Sequence, residues 1–330
     1  MRWLVVLPFE RPEHMGMDFA AELSAMGHEV HTFPYRRDNP LYKNRSTKPA
    51  YQRLIIWKLM AACAGWRPEI VLVIKGGPLT ASVIADLKRR TGAVIVNVYP
   101  DSPFWIDDLA QVEAYDLFFI KDRYMLRAFE LAGLRNAHYL ATYCVPAFHH
   151  PITPTEQERR ELGDVIALVG AHYPYRERLL RELTDFPVRV WGPGWRRCRD
   201  ARVRALVAGG TVWGRAKLAV YSTARLSLNP HHPLDVAGVN ARTFELAAAG
   251  ACQLVDLKED LAALFKPGEE VVTFRDLAEL RRQIAYYLAH PDESRAIGAN
   301  ARRRALAEHT VRHRIDEILA TLDARMGVRS

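Results

Sequence analysis

The sequence predicts an α/β protein built from two doubly wound domains. Short apolar segments alternate with helical patterns along the chain, as in parallel sheets that are covered by helices on both faces. The proline-rich stretch Cys144–Pro154 has neither pattern, and the alternation starts afresh after it. A length of 330 residues also favours two domains, since one domain commonly spans about 100–200 residues. We therefore expect domains at residues 1–150 and 151–310, followed by a C-terminal helix at 311–330.

The first domain opens as a βαβ unit. Arg2–Leu7 is predicted as a buried strand, Glu13–Met26 as a helix that ends at Gly27, and Glu29–Phe33 as a second strand. The same rhythm predicts further strands at Ile70–Ile74, Val94–Val98 and Leu117–Ile120, and further helices at Tyr51–Ala64, Thr80–Arg90, Ile106–Glu113 and Tyr124–Ala132. Strands connected through helices run parallel in an open sheet.

The second domain repeats this alternation. Its predicted strands are Val165–Val169, Val188–Trp191, Leu226–Leu228 and one that ends at Asp256. Its predicted helices are Arg176–Leu183, Trp213–Thr223, a helix opened by Asn240, Leu277–Leu288 and Glu293–Glu308, and Val311–Met326 closes the chain as an amphipathic helix. Ligands of open parallel sheets bind at the carboxyl ends of the strands, so we expect these ends to face a cleft between the domains.

The segment Asn240–Asp256 carries the most informative charges in the chain. With Asn240 as N-cap, Arg242 falls in the first helical turn, where the helix dipole disfavours a cation and favours an anion. Glu245 lies on a face of small residues that is suited to burial. A misplaced arginine and a buried carboxylate indicate a ligand that brings phosphate to Arg242 and hydroxyls to Glu245. A nucleotide sugar supplies both.

Small and basic residues mark the other strand ends of the second domain. The sequence has neither a Gly-x-Gly-x-x-Gly segment after its first strand nor a P-loop, which removes the main support for nicotinamide and P-loop sites. Arg176 is a second candidate phosphate ligand, Gly170 leaves room for a pyrophosphate or sugar, and Trp213 is a candidate platform for the base. The residues predicted to bind the nucleotide sugar, called the donor-binding residues below, are Gly170, Arg176, Thr211, Val212, Trp213, Asn229, Asn240, Arg242, Thr243 and Glu245.

A series of motifs in the second half resembles a known family. In order, these are Asn240–Glu245, Ala249–Ala251, the strand end at Asp256, Pro267–Glu270, Leu277–Leu280, Tyr287–Leu288 and His309–Arg312. Together they look like the CgeB-like (spore maturation protein) glycosyltransferases, a GT-B group, over most of residues 160–320. In the first half, Asp101–Pro103 and Tyr115–Phe119 are similar to that group's N-terminal domain. The resemblance implies the GT-B fold, in which two Rossmann-like domains face an interdomain cleft.

The resemblance also implies an activity. It predicts a hexosyltransferase-type enzyme that moves a sugar from a nucleotide-diphosphate donor on the second domain to an acceptor on the first, which is a glycan, a protein, a lipid-linked or a small molecule. Glu245 is then expected to bind the ribose hydroxyls, as the second glutamate of a Glu-x7-Glu pattern does in related retaining enzymes. Ala237 stands where the first glutamate is expected, and Asp235 is the nearest carboxylate. Retention is favoured over inversion.

The candidate catalytic residues lie in the first domain. Asp101, at a strand end between two prolines, is the candidate general base of an inverting reaction, and in a retaining reaction it orients hydroxyls. His14 is a second candidate, followed by Lys75. The sequence has no Asp-x-Asp motif, and arginines that neutralise the departing diphosphate remove the need for a metal ion. We expect no cofactor besides the donor substrate.

The composition is ordinary apart from its basic charge. A net charge of +8 and a pI near 9.4 favour an anionic partner, and nucleotide phosphates, a phospholipid surface and nucleic acid all fit. The four cysteines are far apart in the sequence, so we expect reduced packing residues. The apolar run Trp3–Leu7 is too short for a signal-peptide core, which predicts a cytoplasmic protein.

Two basic segments have alternative interpretations. Trp195–Arg204 is typical of a solvated face, and we do not expect nucleic acid as its partner. Tyr51–Trp66, flanked by lysines and arginines, reads first as a buried helix of the first sheet. Alternatively, it lies on an anionic membrane as a peripheral contact and presents a lipid-linked acceptor.

The site residues and the activity both have alternative interpretations. Glu245 is alternatively a structural carboxylate paired with an internal arginine, and Trp213 is more typical of a core residue than of a base platform. The alternative functions are a nucleotide-sugar epimerase of the same fold, a non-catalytic nucleotide- or partner-binding module, and an enzyme with a DNA acceptor. Release of free nucleotide in the presence of an acceptor distinguishes a transferase from an epimerase.

Overall fold

The chain forms two compact units in the computed structural model, which describes residues 1–36, 39–106 and 108–327. Unit 1 comprises Met1–Ala141 and Val311–Ser330, and unit 2 comprises Thr142–Thr310. The first boundary therefore falls at residue 141 and not at 150, and the proline-rich stretch belongs to unit 2. The backbone N–H of Cys144 donates to His309 O at 2.9 Å, which ties this stretch to the last residues of unit 2.

Unit 1 contains a six-stranded sheet in which each pairing is parallel. Its order is β2-β1-β3-β4-β5-β6, so β1 lies inside the sheet and β2 at its edge. Val5 pairs with Thr32 on one side and with Leu72 on the other. The strands are β1 (Arg2–Leu7), β2 (Glu29–Pro34), β3 (Ile70–Ile74), β4 (Val94–Tyr99), β5 (Leu117–Ile120) and β6 (Ala137–Tyr139).

Within the described residues, these strands are connected by the α-helices α1 (Met15–Ala25), α2 (Pro40–Lys43), α3 (Lys48–Trp66), α4 (Ala81–Thr91), α5 (Leu109–Ala114) and α6 (Arg123–Leu131). Helix α4 ends at Gly92, whose φ of 68° is the left-handed conformation that glycine adopts without strain. Helix α5 begins three residues later than predicted because Asp108 caps it, accepting from Ala110 N. Asp107, inside the predicted helix, lies outside the described residues.

Unit 2 contains a second six-stranded sheet, again with parallel pairings. Its strands are β7 (Ile166–Val169), β8 (Val188–Trp191), β9 (Val207–Gly209), β10 (Leu226–Asn229), β11 (Gln253–Asp256) and β12 (Val272–Phe274). The order β12-β11-β10-β7-β8-β9 reverses direction between β10 and β7. The carboxyl ends of these two strands therefore border a topological switch point, where open α/β sheets bind ligands.

The helices of the second half are α7 (Glu156–Leu162), α8 (Pro174–Arg181), α9 (Ala201–Ala205), α10 (Gly214–Thr223), α11 (Ala241–Ala248), α12 (Leu261–Leu264), α13 (Leu277–Ala289), α14 (Pro291–Glu308) and α15 (Val311–Gly327). Helix α15 belongs to unit 1, where Arg314 Nε donates to Ala141 O at 3.0 Å. All four cysteines are buried, as the packing interpretation predicts. None of the described helices is long and apolar enough to cross a membrane.

Candidate functional site

A network of amides and hydroxyls fixes the N-terminus of α11 to the carboxyl end of β10. Asn240 is the N-cap, as predicted, and its Oδ1 accepts from Thr243 N at 3.0 Å. Asn229 Nδ2 donates to Thr243 Oγ1 and to Gln253 Oε1, both at 3.1 Å. Asn229 and Thr243 are almost completely buried. These two predicted donor-binding residues thus hold the helix in place.

Glu245, in the second turn of α11, is surrounded by cationic groups. Arg242 Nη1 donates to Glu245 Oε2 at 2.6 Å and also to the hydroxyl of Tyr221. The same carboxylate oxygen lies 3.6 Å from Lys217 Nζ and 3.9 Å from His149 Nε2. These five residues form the Glu245 cluster.

The charges of the cluster keep Glu245 ionised. Its side chain is 17% exposed, and burial by itself raises the pKa of a carboxyl group. The charges of Arg242 and Lys217 outweigh burial and lower the pKa of Glu245 to about 2. An ionised carboxylate only accepts hydrogen bonds, so Glu245 is suited to binding the hydroxyl groups of a ligand.

Arg242 and Glu245 satisfy each other's charge, which is the structural alternative stated above for Glu245. Neither side chain therefore requires a ligand for its stability. The Arg242 side chain nevertheless remains 27% exposed, and a guanidinium carries five N–H donors. The geometry is compatible with an anion bound to the same arginine.

Arg176 fastens two strand ends together. Its Nη1 donates to Ala171 O at 2.9 Å and its Nη2 donates to Pro230 O at 3.0 Å, which joins the segments after β7 and β10. A Cβ atom at residue 170 would lie 2.6 Å from Arg176 Nη1. The space at Gly170, predicted to admit a ligand, therefore admits the Arg176 side chain.

Arg176 and Arg242 are close enough to influence each other. Burial lowers the pKa of Arg176, and the positive charge of Arg242 lowers it further. Within the described part of the chain, Arg176 Nε is a buried donor without a hydrogen-bond partner. Two cations at the carboxyl edge of a sheet favour the binding of an anion there.

His231 and Asp256 form a second pair at this edge, after β10 and at the end of β11. Asp256 Oδ1 accepts from the backbone N and from Nδ1 of His231, each at 2.7 Å. Burial raises the pKa of Asp256, but the hydrogen bonds and charge of His231 outweigh it and lower the pKa to about 2. Both residues stand in strand-end motifs of the sequence, yet their contact depends on the adjacency of β10 and β11.

Thr211–Trp213 follow β9. Thr211 lines a pocket of about 500 Å³ with glycines and arginines of the loop after β8, among them Gly192, Gly194, Arg196 and Arg197. Val212 is half-buried against the core. Trp213 is 64% exposed, so its interpretation as a core residue is wrong. Its ring is accessible for stacking.

In unit 1, the candidate catalytic residues are engaged by their neighbours. Asp101 Oδ2 lies 2.5 Å from Lys75 Nζ, which brings two of the three candidates into contact. His14 is the N-cap of α1, and its Nδ1 accepts from Gly16 N at 3.4 Å. Burial lowers the pKa of His14, and nearby cations, Lys75 foremost, lower it further. A neutral imidazole is the form that caps a helix in this way.

Solved glycosyltransferase structures share this fold. Sucrose-phosphate synthase from Thermosynechococcus elongatus superposes with a TM-score of 0.72 at 14% identity, and each chain is covered completely. HepE of Anabaena, in complex with UDP-glucose, superposes with a TM-score of 0.68 at 13% identity and covers 98% of this chain and 100% of its own. The two sheets are those of the GT-B fold, as predicted.

Comparisons of the sequence find a matching family model and a curated relative. A glycosyl transferase-like family model matches residues 176–320. The spore protein CgeB of Bacillus subtilis (strain 168) is 24% identical over 277 residues, which cover 78% of this chain and 83% of CgeB. The chain is similar to CgeB in sequence and has the GT-B fold. The motif resemblance is thereby confirmed.

Three members of the Glu245 cluster, His149, Lys217 and Tyr221, were not indicated by the family motifs. His149 lies in the proline-rich stretch, and its Nδ1 accepts from Val145 N at 3.0 Å, so the neutral ring carries its proton on Nε2, toward Glu245. Lys217 lies in α10 and is 5% exposed. A buried lysine is rare unless it is paired, but its burial is visible only in the structure.

Ala237, at the position of the first glutamate of the Glu-x7-Glu pattern, lies in the protein interior. Ala237 is 1% exposed, and its carbonyl oxygen accepts from Asp260 N at 3.1 Å. This position of the chain thus offers a backbone carbonyl to the loop after β11 and no side-chain carboxylate. Among the described residues, no three His, Cys, Asp or Glu side chains are grouped so as to hold a metal ion.

Proposed function

We propose that this glycosyltransferase uses a nucleotide-diphosphate sugar as donor and binds it in unit 2, at the carboxyl ends of β7, β10 and β11. The observation that supports this most directly is that Arg176, bonded to the loops after β7 and β10, and Arg242, in the first turn of α11, lie at the same edge of one sheet. A diphosphate bound there is attracted by both positive charges. Each hydrogen bond between an arginine and a phosphate is worth about 1.5–3 kcal/mol.

Arg242 and the first amides of α11 bind the diphosphate in this proposal. The first backbone N–H groups of a helix have no intrahelical acceptor and face the positive end of its dipole. Arg242 then bridges the phosphate and Glu245, and the ionised Glu245 accepts hydrogen bonds from the ribose hydroxyls. The arginines also neutralise charge on the departing diphosphate, so the proposed reaction needs no metal ion.

The acceptor binds unit 1 in this proposal, near Asp101. The contact between Asp101 Oδ2 and Lys75 Nζ at 2.5 Å occupies one carboxylate oxygen and fixes the position of the side chain. Asp101 is therefore better suited to orienting a hydroxyl group than to serving as a general base. This favours retention of the anomeric configuration.

Uridine diphosphate is the first donor nucleotide to test, because structures of HepE contain UDP and UDP-glucose. Thermal unfolding of the full chain with UDP, GDP, dTDP or CMP identifies the base, and calorimetry measures the affinity. We expect Arg242→Ala to weaken nucleotide binding by about tenfold or more, since a charge-assisted hydrogen bond is lost. Arg178→Ala, at an exposed arginine of α8 that pairs with Glu182, is the matched control.

Three outcomes decide the proposal. A raised Tm with one nucleotide, and weaker binding by Arg242→Ala alone, support the donor site. An unchanged Tm with all four nucleotides, at concentrations that saturate related enzymes, contradicts it and favours a non-catalytic module. Once the donor is known, NMR of the product gives its anomeric configuration, and inversion would refute the proposed role of Asp101.

A further inference from the structure

Helix α3 has two apolar faces. One face is buried in the core of unit 1 and consists of Tyr51, Ile55, Leu59 and Cys63. The opposite face presents Leu54 and Trp57, which are 46% and 66% exposed, with exposed Ala61 in the next turn. We call Leu54, Trp57 and Ala61 the outer stripe of α3. A surface helix normally turns polar residues to water, so an apolar outer stripe indicates a contact surface.

Basic residues border the outer stripe. At 3.6 residues per turn, exposed Arg53 lies on one side of it and exposed Lys58 on the other. The sequence from 39 to 68 contains six basic residues and no aspartate or glutamate: Lys43, Arg45, Lys48, Arg53, Lys58 and Arg67. Most of the chain's surplus of eight positive charges therefore lies in this segment.

Other surface helices of the chain show the contrasting arrangement. Helix α14 alternates charges and pairs Arg304 with Glu308, and α8 pairs Arg178 with Glu182. Mixed charges with such pairs are typical of a face that meets only water. The basic charge of α3 is thus a local feature and not the general composition of the surface.

We infer that the outer stripe of α3 docks the protein on a bilayer surface that contains anionic lipids. Trp57 and Leu54 enter the headgroup region, because an indole ring is stable at the boundary between lipid tails and water. Arg53, Lys58 and the other basic residues of the segment meet the lipid phosphates, whose negative charge attracts them. This inference is independent of the proposed donor site.

The charge and the apolar stripe together distinguish a membrane from nucleic acid. Nucleic acid attracts the same cations, but phosphate contacts gain nothing from an exposed leucine. An anionic bilayer interacts favourably with both the apolar stripe and the basic residues beside it. The straight outer face of this 19-residue helix can lie flat on the bilayer surface. The double variant Leu54→Ala/Trp57→Ala therefore separates the two partners.

Co-sedimentation with vesicles tests the apolar contribution. The full chain is mixed with vesicles of phosphatidylcholine alone or with one third phosphatidylglycerol. We expect binding to the anionic vesicles only, weakened about tenfold or more in Leu54→Ala/Trp57→Ala. Leu131→Ala is the control, because Leu131 is 90% exposed on α6, outside the basic segment. All three substitutions lie at exposed positions, and unchanged thermal unfolding verifies the fold.

A second pair of variants tests the electrostatic contribution. Arg53→Ala/Lys58→Ala removes two charges beside the stripe, and Arg282→Ala/Arg303→Ala removes two exposed charges from α13 and α14. We expect only the first pair to weaken binding, by about tenfold, at equal net charge. Equal weakening by both pairs would show attraction by the net charge of the chain and overturn the inference.

The position of the stripe can be measured directly. Ala61→Cys places a thiol on the outer stripe for an environment-sensitive dye, while burial raises the pKa of the Cys63 thiol to about 12 and keeps it unreactive. We expect a blue shift of the dye emission with anionic vesicles. Absence of vesicle binding by the full chain, or binding of single-stranded DNA without binding of vesicles, would overturn the inference.

Discussion

At the scale of single residues, Glu245 shows how a buried carboxylate is kept charged. Burial alone raises the pKa of a carboxyl group, and a protonated Glu245 would lose its strongest interactions with Arg242 and Lys217. The charges of Arg242 and Lys217, both within 4 Å of Glu245 Oε2, reverse this tendency. The ionised side chain thus stabilises unit 2 and, in the proposed function, binds ribose.

The low pKa of Glu245 predicts an acid-sensitive contribution to stability. Its folded value of about 2 lies below the ordinary 4.5, so the contribution is complete above pH 4.5 and is lost as the pH falls toward 2. Urea unfolding across this range measures it. We expect the free energy of unfolding to depend less steeply on pH in Glu245→Gln than in the unaltered chain. Glu130→Gln, at an exposed position of α6, should leave the pH dependence unchanged.

The same substitution separates the two roles of Glu245. Glu245→Gln keeps the size of the side chain but loses the charge that Arg242 and Lys217 hold in place. We expect donor affinity to fall by about tenfold, because hydrogen bonds from hydroxyls to a carboxylate are stronger than those to an amide. Calorimetry with the nucleotide identified by thermal unfolding provides the measurement. Full affinity in a folded Glu245→Gln chain would exclude the ribose contact.

At the scale of elements, α11 is positioned by its capping residue. Asn240 caps the helix and also donates from Nδ2 to Asn229 Oδ1 at 3.1 Å, so one side chain joins α11 to β10. Asp276 caps α13 in the same manner, accepting from Glu279 N at 2.7 Å, but in an exposed setting. Asn240 therefore joins its helix to a strand as well as capping it, whereas Asp276, in the described part of the chain, only caps its own helix.

This difference predicts unequal effects of removing the two caps. Asp276→Ala should cost about 1 kcal/mol of unfolding free energy, which is typical of a lost N-cap. Asn240→Ala should cost about 2 kcal/mol or more, because it also leaves the buried Asn229 with an unsatisfied oxygen. Urea unfolding of both variants gives the comparison. Equal losses would mean that the bond to Asn229 contributes nothing to stability.

Sequence patterns predicted the longer strands and helices and the candidate site residues at the start of α11. They did not indicate the residues that contact Glu245 from other elements. Strands of four or more residues, such as β3, show enough apolar residues to be recognised, whereas the three-residue strands β6, β9 and β12 are too short for any period. Asn240, Arg242 and Glu245 share one helix, so their proximity follows from its geometry. Lys217 and His149 contact Glu245 because the chain folds back on itself, and sequence patterns do not predict such contacts.

At the scale of the whole molecule, the chain leaves unit 1 at residue 141 and its last helix belongs to unit 1 again. Helix α15 packs on α1, and Arg312 Nη1 lies 3.8 Å from Glu22 Oε1. Ile318 and Leu322 of α15 are almost completely buried. The stability of unit 1 therefore depends on residues that are synthesised after the whole of unit 2.

This dependence predicts that a substitution in α15 affects unit 1 selectively. Ile318→Ala leaves a cavity in the contact of α15 with unit 1 and should cost about 2–5 kcal/mol. In hydrogen exchange, we expect faster exchange of peptides from residues 1–141 and unchanged protection of β7, β10 and β11. Ala320→Ser, at an exposed position of the same helix, is the control. Faster exchange in both units of Ile318→Ala would instead mean that the two units unfold as one cooperative body.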